Sequence, residues 1–84
     1  MTVVLHDANT IRLIGVCPAE DGETLLHELL ANSTAEVDWR GCESAHAAVI
    51  QVLLVSGRRL QGTPAGQFLQ RFIGPAIARL NRQI

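Results

Sequence analysis

Residues 37–54, VDWRGCESAHAAVIQVLL, decide the fold. The run EVDW, residues 36–39, reads as a short strand. Gly41 permits a tight turn after it. Ser44 is the N-cap expected for a helix over residues 45–56, and Gly57 is the residue that closes it. Only His46 and Gln51 interrupt the apolar surface of that helix. A helix this apolar needs cover on more than one side, from a sheet plus a neighbouring helix or from a partner chain.

Outward from this segment the chain alternates. Toward the N-terminus, residues 2–5 (TVVL) and 10–16 (TIRLIGV) are β-rich, and Asp7, Ala8 and Asn9 between them give a turn signal. They predict a hairpin. Residues 18–23 (PAEDGE) then open a helix, with acids where its N-terminal dipole favours them. Leu25, Leu26, Leu29 and Leu30 draw its apolar stripe, and Asn32-Ser33-Thr34 ends it. Toward the C-terminus, residues 58–62 (RRLQG) suggest one more short strand. Thr63-Pro64 is a helix start, with Thr as N-cap and Pro in the first turn. Phe68, Leu69, Phe72 and Ile73 form the apolar face, Gly74-Pro75 breaks or kinks the helix, and residues 76–80 add a fraying end. The predicted order is β-β-α-β-α-(β)-α, an α/β fold. It places helices largely on one side of a small mixed sheet, with right-handed crossovers.

Eighty-four residues make one domain with a modest core and little room for a deep catalytic cleft. Apolar residues are 48% of the chain, enough to fold. Trp39, Phe68 and Phe72 are too dispersed to form a base-stacking platform, and a net charge of −1 gives little counterion-release drive. Nucleic acid is therefore not an expected partner. All eight acids lie in residues 1–43, while residues 44–84 carry five Arg (Arg58, Arg59, Arg71, Arg79 and Arg82) and no acid. Those Arg read as a solvated basic face or as a surface for an acidic partner. No Lys is present, which excludes Lys-dependent chemistry. No basic segment precedes an apolar run and no run approaches the length of a membrane span, so neither a signal peptide nor a membrane-embedded segment is expected. Cys17 and Cys42 make no disulfide framework. The chain reads as cytoplasmic with reduced thiols.

This order, and residues 36–73 in particular, resembles the STAS domains, the anti-sigma factor antagonist family. Val37-Asp38 looks like the family's central strand ending in an acid. Residues 48–54 look like its buried second helix. Leu60-Gln61-Gly62-Thr63-Pro64 followed by Phe68-Leu69 looks like the strand and helix start that come next. Two departures matter. His46 stands at the family's usual Asp, and Ala47 at its phosphorylatable Ser or Thr. The C-terminus is also shorter than is common in the family. The resemblance implies a non-enzymatic regulatory domain of bacterial signalling, with a protein partner such as an anti-sigma factor kinase or a transporter ATPase subunit. Ala47 has no hydroxyl, so phosphoryl transfer there is impossible. Ser44 is the nearest substitute.

The candidate partner-binding residues are Arg40, Glu43, Ser44, His46, Ala47 and Thr63, around the N-terminus of the second helix. Unpaired N–H groups and the positive dipole end would still dock a partner there without a phospho-switch. His46 reads as a polar residue at a helix start or as a partner contact, and the dipole disfavours its cation. Trp39 reads as core or rim, with an interface anchor as the other reading. Ser44 and Thr63 read as caps. Cys42 and His46 could form a nucleophile pair, but the adjacent apolar helix argues for packing. No CxxC or HxxxH pair supports a metal site, and no cofactor motif occurs. A homo-dimer pairing the second helix and the Phe68/Phe72 stripe across a two-fold axis is the alternative from another class.

Overall fold

The computed structural model describes residues 2–7 and 9–83, with side chains as far as residue 80. Four strands, β1 (Val3–Asp7), β2 (Thr10–Cys17), β3 (Glu36–Ala45) and β4 (Leu60–Gln61), form one mixed sheet in the order β1-β2-β3-β4. β1 and β2 are the expected hairpin, antiparallel with Val3 opposite Leu13 and Leu5 opposite Ile11. In its turn the Asp7 carboxylate accepts from Asn9 N at 2.8 Å, the self-capping that short acidic side chains offer. Ala8 lies outside the described residues. β2–β3 and β3–β4 are parallel, so each pair needs a crossover, supplied by α1 (Glu20–Ala31) and α2 (Ala47–Ser56).

Strand alternation sorts the side chains. Val3, Ile11, Leu13, Val37, Trp39 and Cys42 point to one face and are buried. There they meet Leu25 and Leu29 of α1, Val49 and Leu53 of α2, and Leu69 and Ile77 from the C-terminal helix. Each large aliphatic side chain so buried contributes roughly 1.5–3 kcal/mol. Arg12, Ile14, Val16 and Arg40 point to the opposite face, where Ile14 and Val16 are exposed. The helices thus lie on one side of the sheet. α1 and α2 touch closely at Gly22, where a Cβ would press to 3.1 Å on Ala48 Cβ and on the Ala48 carbonyl oxygen. A side chain there would push the two helices apart by a few tenths of an ångström.

The structure corrects several sequence expectations. The segment after Trp39 is not a loop: β3 continues for ten residues to Ala45. β2 spends eight residues on the same stretch, and two register shifts absorb the excess. Gly41 sits at the first bulge, opposite Ile14, and makes no tight turn. The polar run RGCES misleads because one sheet face is bare and a bulge turns consecutive residues toward it. Ser44 is therefore a strand residue, not the N-cap. His46 takes that role, and α2 begins at Ala47. Gly57 does close α2 in the left-handed conformation, φ 64°. In α1 the apolar stripe is narrower than expected: Leu25 and Leu29 are buried, while Leu26 and Leu30 are exposed.

The C-terminal helix differs most. Thr63-Pro64 does not start it; helical backbone begins at residue 67. Gly74-Pro75 does not break it. A π turn over Leu69–Ile73, closed by Gly74 N donating to Leu69 O, leads directly into α3 (Gly74–Gln83). Pro75 has no N–H to give, and its ring would collide with the carbonyl four residues back in an ordinary helix. The widened turn relieves that collision and lets the helix continue. Leu69 and Ile77 reach the core, whereas Phe68 and Phe72 are 62% and 61% exposed.

Arg58 also departs from expectation. It is not part of a solvated basic face. Its guanidinium donates to the backbone oxygens of Leu29 (2.8 Å), Asn32 (3.0 Å) and Ala35 (2.9 Å). α1 has no basic residue in its own last turn, so a cation from after α2 satisfies its C-terminal carbonyls.

Candidate functional site

The N-terminus of α2 is built by the end of β3. His46 N donates to Cys17 O at 2.9 Å, which fixes the exit of the strand. His46 is then extended (φ −61°, ψ 152°), and its Nδ1 accepts from Ala48 N at 3.0 Å. An imidazole thus does the work usual for Ser or Asp at an N-cap. Nδ1 can accept only without its own proton, so the cap belongs to the neutral ring. Ala47, the first helical residue, is exposed and brings no hydroxyl to this end.

Beside it runs a largely apolar groove of about 520 Å³, lined by Ala45, Ala47, Ile50, Leu54, Phe68 and Ile73 with Gln51 as its polar member. Phe68 and Phe72 extend its rim as a tilted pair with ring centroids 5.3 Å apart. The sequence placed both Phe on the apolar face of the helix, with a stripe for a homo-dimer as the alternative. What it could not show was that Leu69 and Ile77 take the side facing the sheet and leave both rings in water.

The other candidate residues line up along the free side of β3. β4 pairs only with Val37 and Asp38, and beyond it the chain from Gly62 to Gly66 covers the β3 edge irregularly. Trp39 Nε1 donates to Gly62 O at 3.0 Å, and Gly66 N donates to Cys42 O at 3.1 Å. A Cβ on Gly66 would land on the carbonyl oxygen of Glu43. Trp39 is accordingly core rather than an interface anchor. Thr63 is exposed and lines a cleft of about 420 Å³ with Trp39, Leu60, Pro64, Gln70 and Ile77. Glu43 and Ser44 are exposed at the second bulge. The six residues therefore form an elongated strip from Thr63 and Arg40 past Glu43 to Ala47, not a convergent pocket.

Arg40 is already engaged. Its Nε and Nη2 donate to the two oxygens of Asp38 at 2.9 and 2.8 Å, and Asp38 Oδ1 also accepts Arg40 N at 3.1 Å. Arg12 Nε lies 3.8 Å from the same carboxylate. Asp38 is buried beneath these cations on the otherwise open sheet face. The hydrogen bonds from Arg40 pull its pKa down to about 2, against the opposing effect of burial, and Arg12 adds to the pull. Asp38 in turn raises the pKa of Arg40. This fork-to-fork geometry is the strong form of an ion pair, and it makes Arg40 a structural residue first.

Cys42 and His46 do not form a nucleophile pair. The Cys42 Sγ lies on the buried face, 3.9 Å from the Cys17 Sγ, while the His46 Nδ1 is occupied by the Ala48 N–H. Among the described residues no group of three His, Cys, Asp or Glu side chains could hold a metal ion, and no helix is long and apolar enough to cross a membrane. The chain matches no protein-family model, no curated protein and no solved structure.

Proposed function

We propose that this chain is a non-enzymatic interaction domain of STAS-like type, docking a protein partner on the groove beside the N-terminus of α2. The observation that carries the reading is the exposed Phe68–Phe72 pair bordering a groove that ends at Ala47. Two aromatic rings held in water beside further apolar side chains are characteristic of a surface that is covered in use. The element order, with a hairpin followed by parallel strands and a capped helix after β3, supports the STAS-like part of the reading. Because Ala47 offers no hydroxyl, partner binding on this surface is constitutive with respect to phosphorylation at that position. The partner class is an anti-sigma factor kinase or a transporter ATPase subunit.

The test is a pull-down from the native host using the wild-type chain and a Phe68→Ser/Phe72→Ser variant. Recovery of a kinase or ATPase by the wild type, and its loss with the folded variant, supports the reading. Equal recovery by both chains removes the proposed face. Substituting Arg40 is a poorer probe, since it also strips Asp38 of its cover. The exposed Phe pair also favours a second reading, a homo-dimer through the same stripe. Sedimentation at low concentration separates the two, because a 9.1 kDa monomer ends the dimer.

A further inference from the structure

Two thiols that lie 25 residues apart in sequence meet in the core. Cys17 ends β2 and Cys42 sits in the middle of β3. Both are essentially inaccessible, and their sulfurs are 3.9 Å apart. Gly15 is the residue opposite Cys42 in the ladder, so Cys17 lies two positions further along β2. The second bulge of β3 follows Cys42 immediately. The ladder between the two strands is locally disrupted at this point.

We propose that Cys17 and Cys42 are a redox modification site, closing to an intrachain disulfide when a hydroperoxide oxidises Cys42. The two thiols are not equivalent. Cys17 is held protonated by its hydrogen bond to Cys42, by burial and by the nearby Asp21 carboxylate. The same hydrogen bond lowers the pKa of Cys42, against the opposing effect of burial. Cys42 also lies on β3 beside the loop that Gly66 pins to it, so it is the sulfur that peroxide entering there meets first, and the attacking one. Its thiolate displaces hydroxide from the peroxide O–O bond and becomes a sulfenic acid. The Cys17 sulfur, giving up its proton, then attacks the Cys42 sulfur and expels the sulfenic oxygen as water. In sum two thiols lose two electrons and two protons, and one hydrogen peroxide becomes two waters. Access comes from the β3 edge, where the Gly66 N–H to Cys42 O bond holds the covering loop. Peroxide is small enough to use a local opening there. The sulfurs must approach by a further ~1.9 Å to reach bonding distance.

The bridge is tested on the purified full chain with hydrogen peroxide, by intact mass, tryptic mapping and thermal melting. Cleavage after Arg12, Arg40 and Arg58 puts Cys17 in residues 13–40 and Cys42 in residues 41–58. The expected result is loss of two hydrogens and a linked pair of those peptides. The melting temperature should rise by about 10 °C or more, because a closed loop of this length restricts the unfolded chain. Dithiothreitol should reverse both effects. With Cys17→Ala the chain should gain oxygen on Cys42 instead, and with Cys42→Ala the remaining thiol should stay unmodified. Full alkylation of both thiols after peroxide and denaturation would overturn the proposal. So would linkage between two chains, or oxygen addition without a bridge in the wild type. The wild-type map decides the matter even where an alanine variant does not fold.

Discussion

Removing the Arg58 guanidinium should cost this domain a large share of its stability. The side chain makes three N–H···O bonds of 2.8–3.0 Å to Leu29, Asn32 and Ala35. It thereby joins the end of α1, the turn before β3 and the segment after α2. A hydrogen bond from a charged donor is worth about 1.5–3 kcal/mol. The three share one donor group, and water can reach part of the site, so their sum is an overestimate. Arg58→Ala is expected to lose about 2–4 kcal/mol. Against a total of roughly 4–12 kcal/mol for a chain of this size, that amounts to a fall in melting temperature of about 10–25 °C. Arg58→Met keeps the aliphatic stem and should recover little, which separates the hydrogen bonds from packing. Arg58→Lys should recover less than half, since one ammonium cannot span three carbonyls. The acceptors are neutral, so the loss should persist in high salt, unlike that of a surface ion pair. Urea unfolding followed by the fluorescence of Trp39, the one tryptophan, gives the numbers. A loss below about 1 kcal/mol for Arg58→Ala, or a Lys variant equal to wild type, would refute the capping role.

Three further perturbations follow from the same physics. The Asp38 pKa is depressed from 3.8 to about 2, so its stabilising effect is complete above the unfolded value and is lost as pH falls from about 5 toward 2. Acid titration of stability should show this as about 1–2 kcal/mol, and Asp38→Asn should remove it from the curve while lowering stability at neutral pH. His46→Ala should lower stability by about 1 kcal/mol through loss of the N-cap, and His46→Asp should restore or exceed the wild type because a carboxylate also suits the helix dipole; equal unfolding midpoints for all three chains would count against it. Gly66→Ala should cost about 2 kcal/mol or more, because the new methyl meets the Glu43 carbonyl and displaces the loop, and an unchanged Trp39 emission spectrum in that variant would contradict the close approach.

The order of elements was legible because hydrophobic periodicity and caps act locally. The βα crossovers around α1 and α2, the N-terminal hairpin and the Gly57 cap all follow from neighbouring residues. What escaped depends on register or on partners far along the chain. The extension of β3 through Arg40, Cys42 and Ser44 is polar because a bulged strand on a one-sided sheet turns those positions toward water. Ser44 carries the composition of a cap, but the strand claims it and leaves the role to His46. Gly74-Pro75 carries a stop signal that a single widened turn cancels. The Arg58 cap and the Cys17–Cys42 contact join residues more than twenty positions apart, and the parallel pairings of β3 with β4 and of β2 with β3 bring these positions together. Of the candidate site, the position at the end of β3 was readable. The exposure of Phe68 and Phe72 was not, because it depends on which side of the helix packs on the sheet, and Leu69 and Ile77 take that side.

The loop from Gly62 to Gly66 has a consequence for self-association. A two-residue β4 would leave most of β3 as a bare edge, and bare edges recruit strands from other molecules. With Gly66 hydrogen-bonded to Cys42 and Pro64 buried beside it, that side accepts no further strand. The remaining edges are the two-residue β4, too short to template a strand, and β1, where a register shift between Leu5 and Asp7 and the polar pair His6-Asp7 roughen the edge. Aggregation of this protein should therefore begin where β1 or the covering loop detaches, and substitutions that free the loop should raise the rate of fibril or amorphous deposition before they abolish folding.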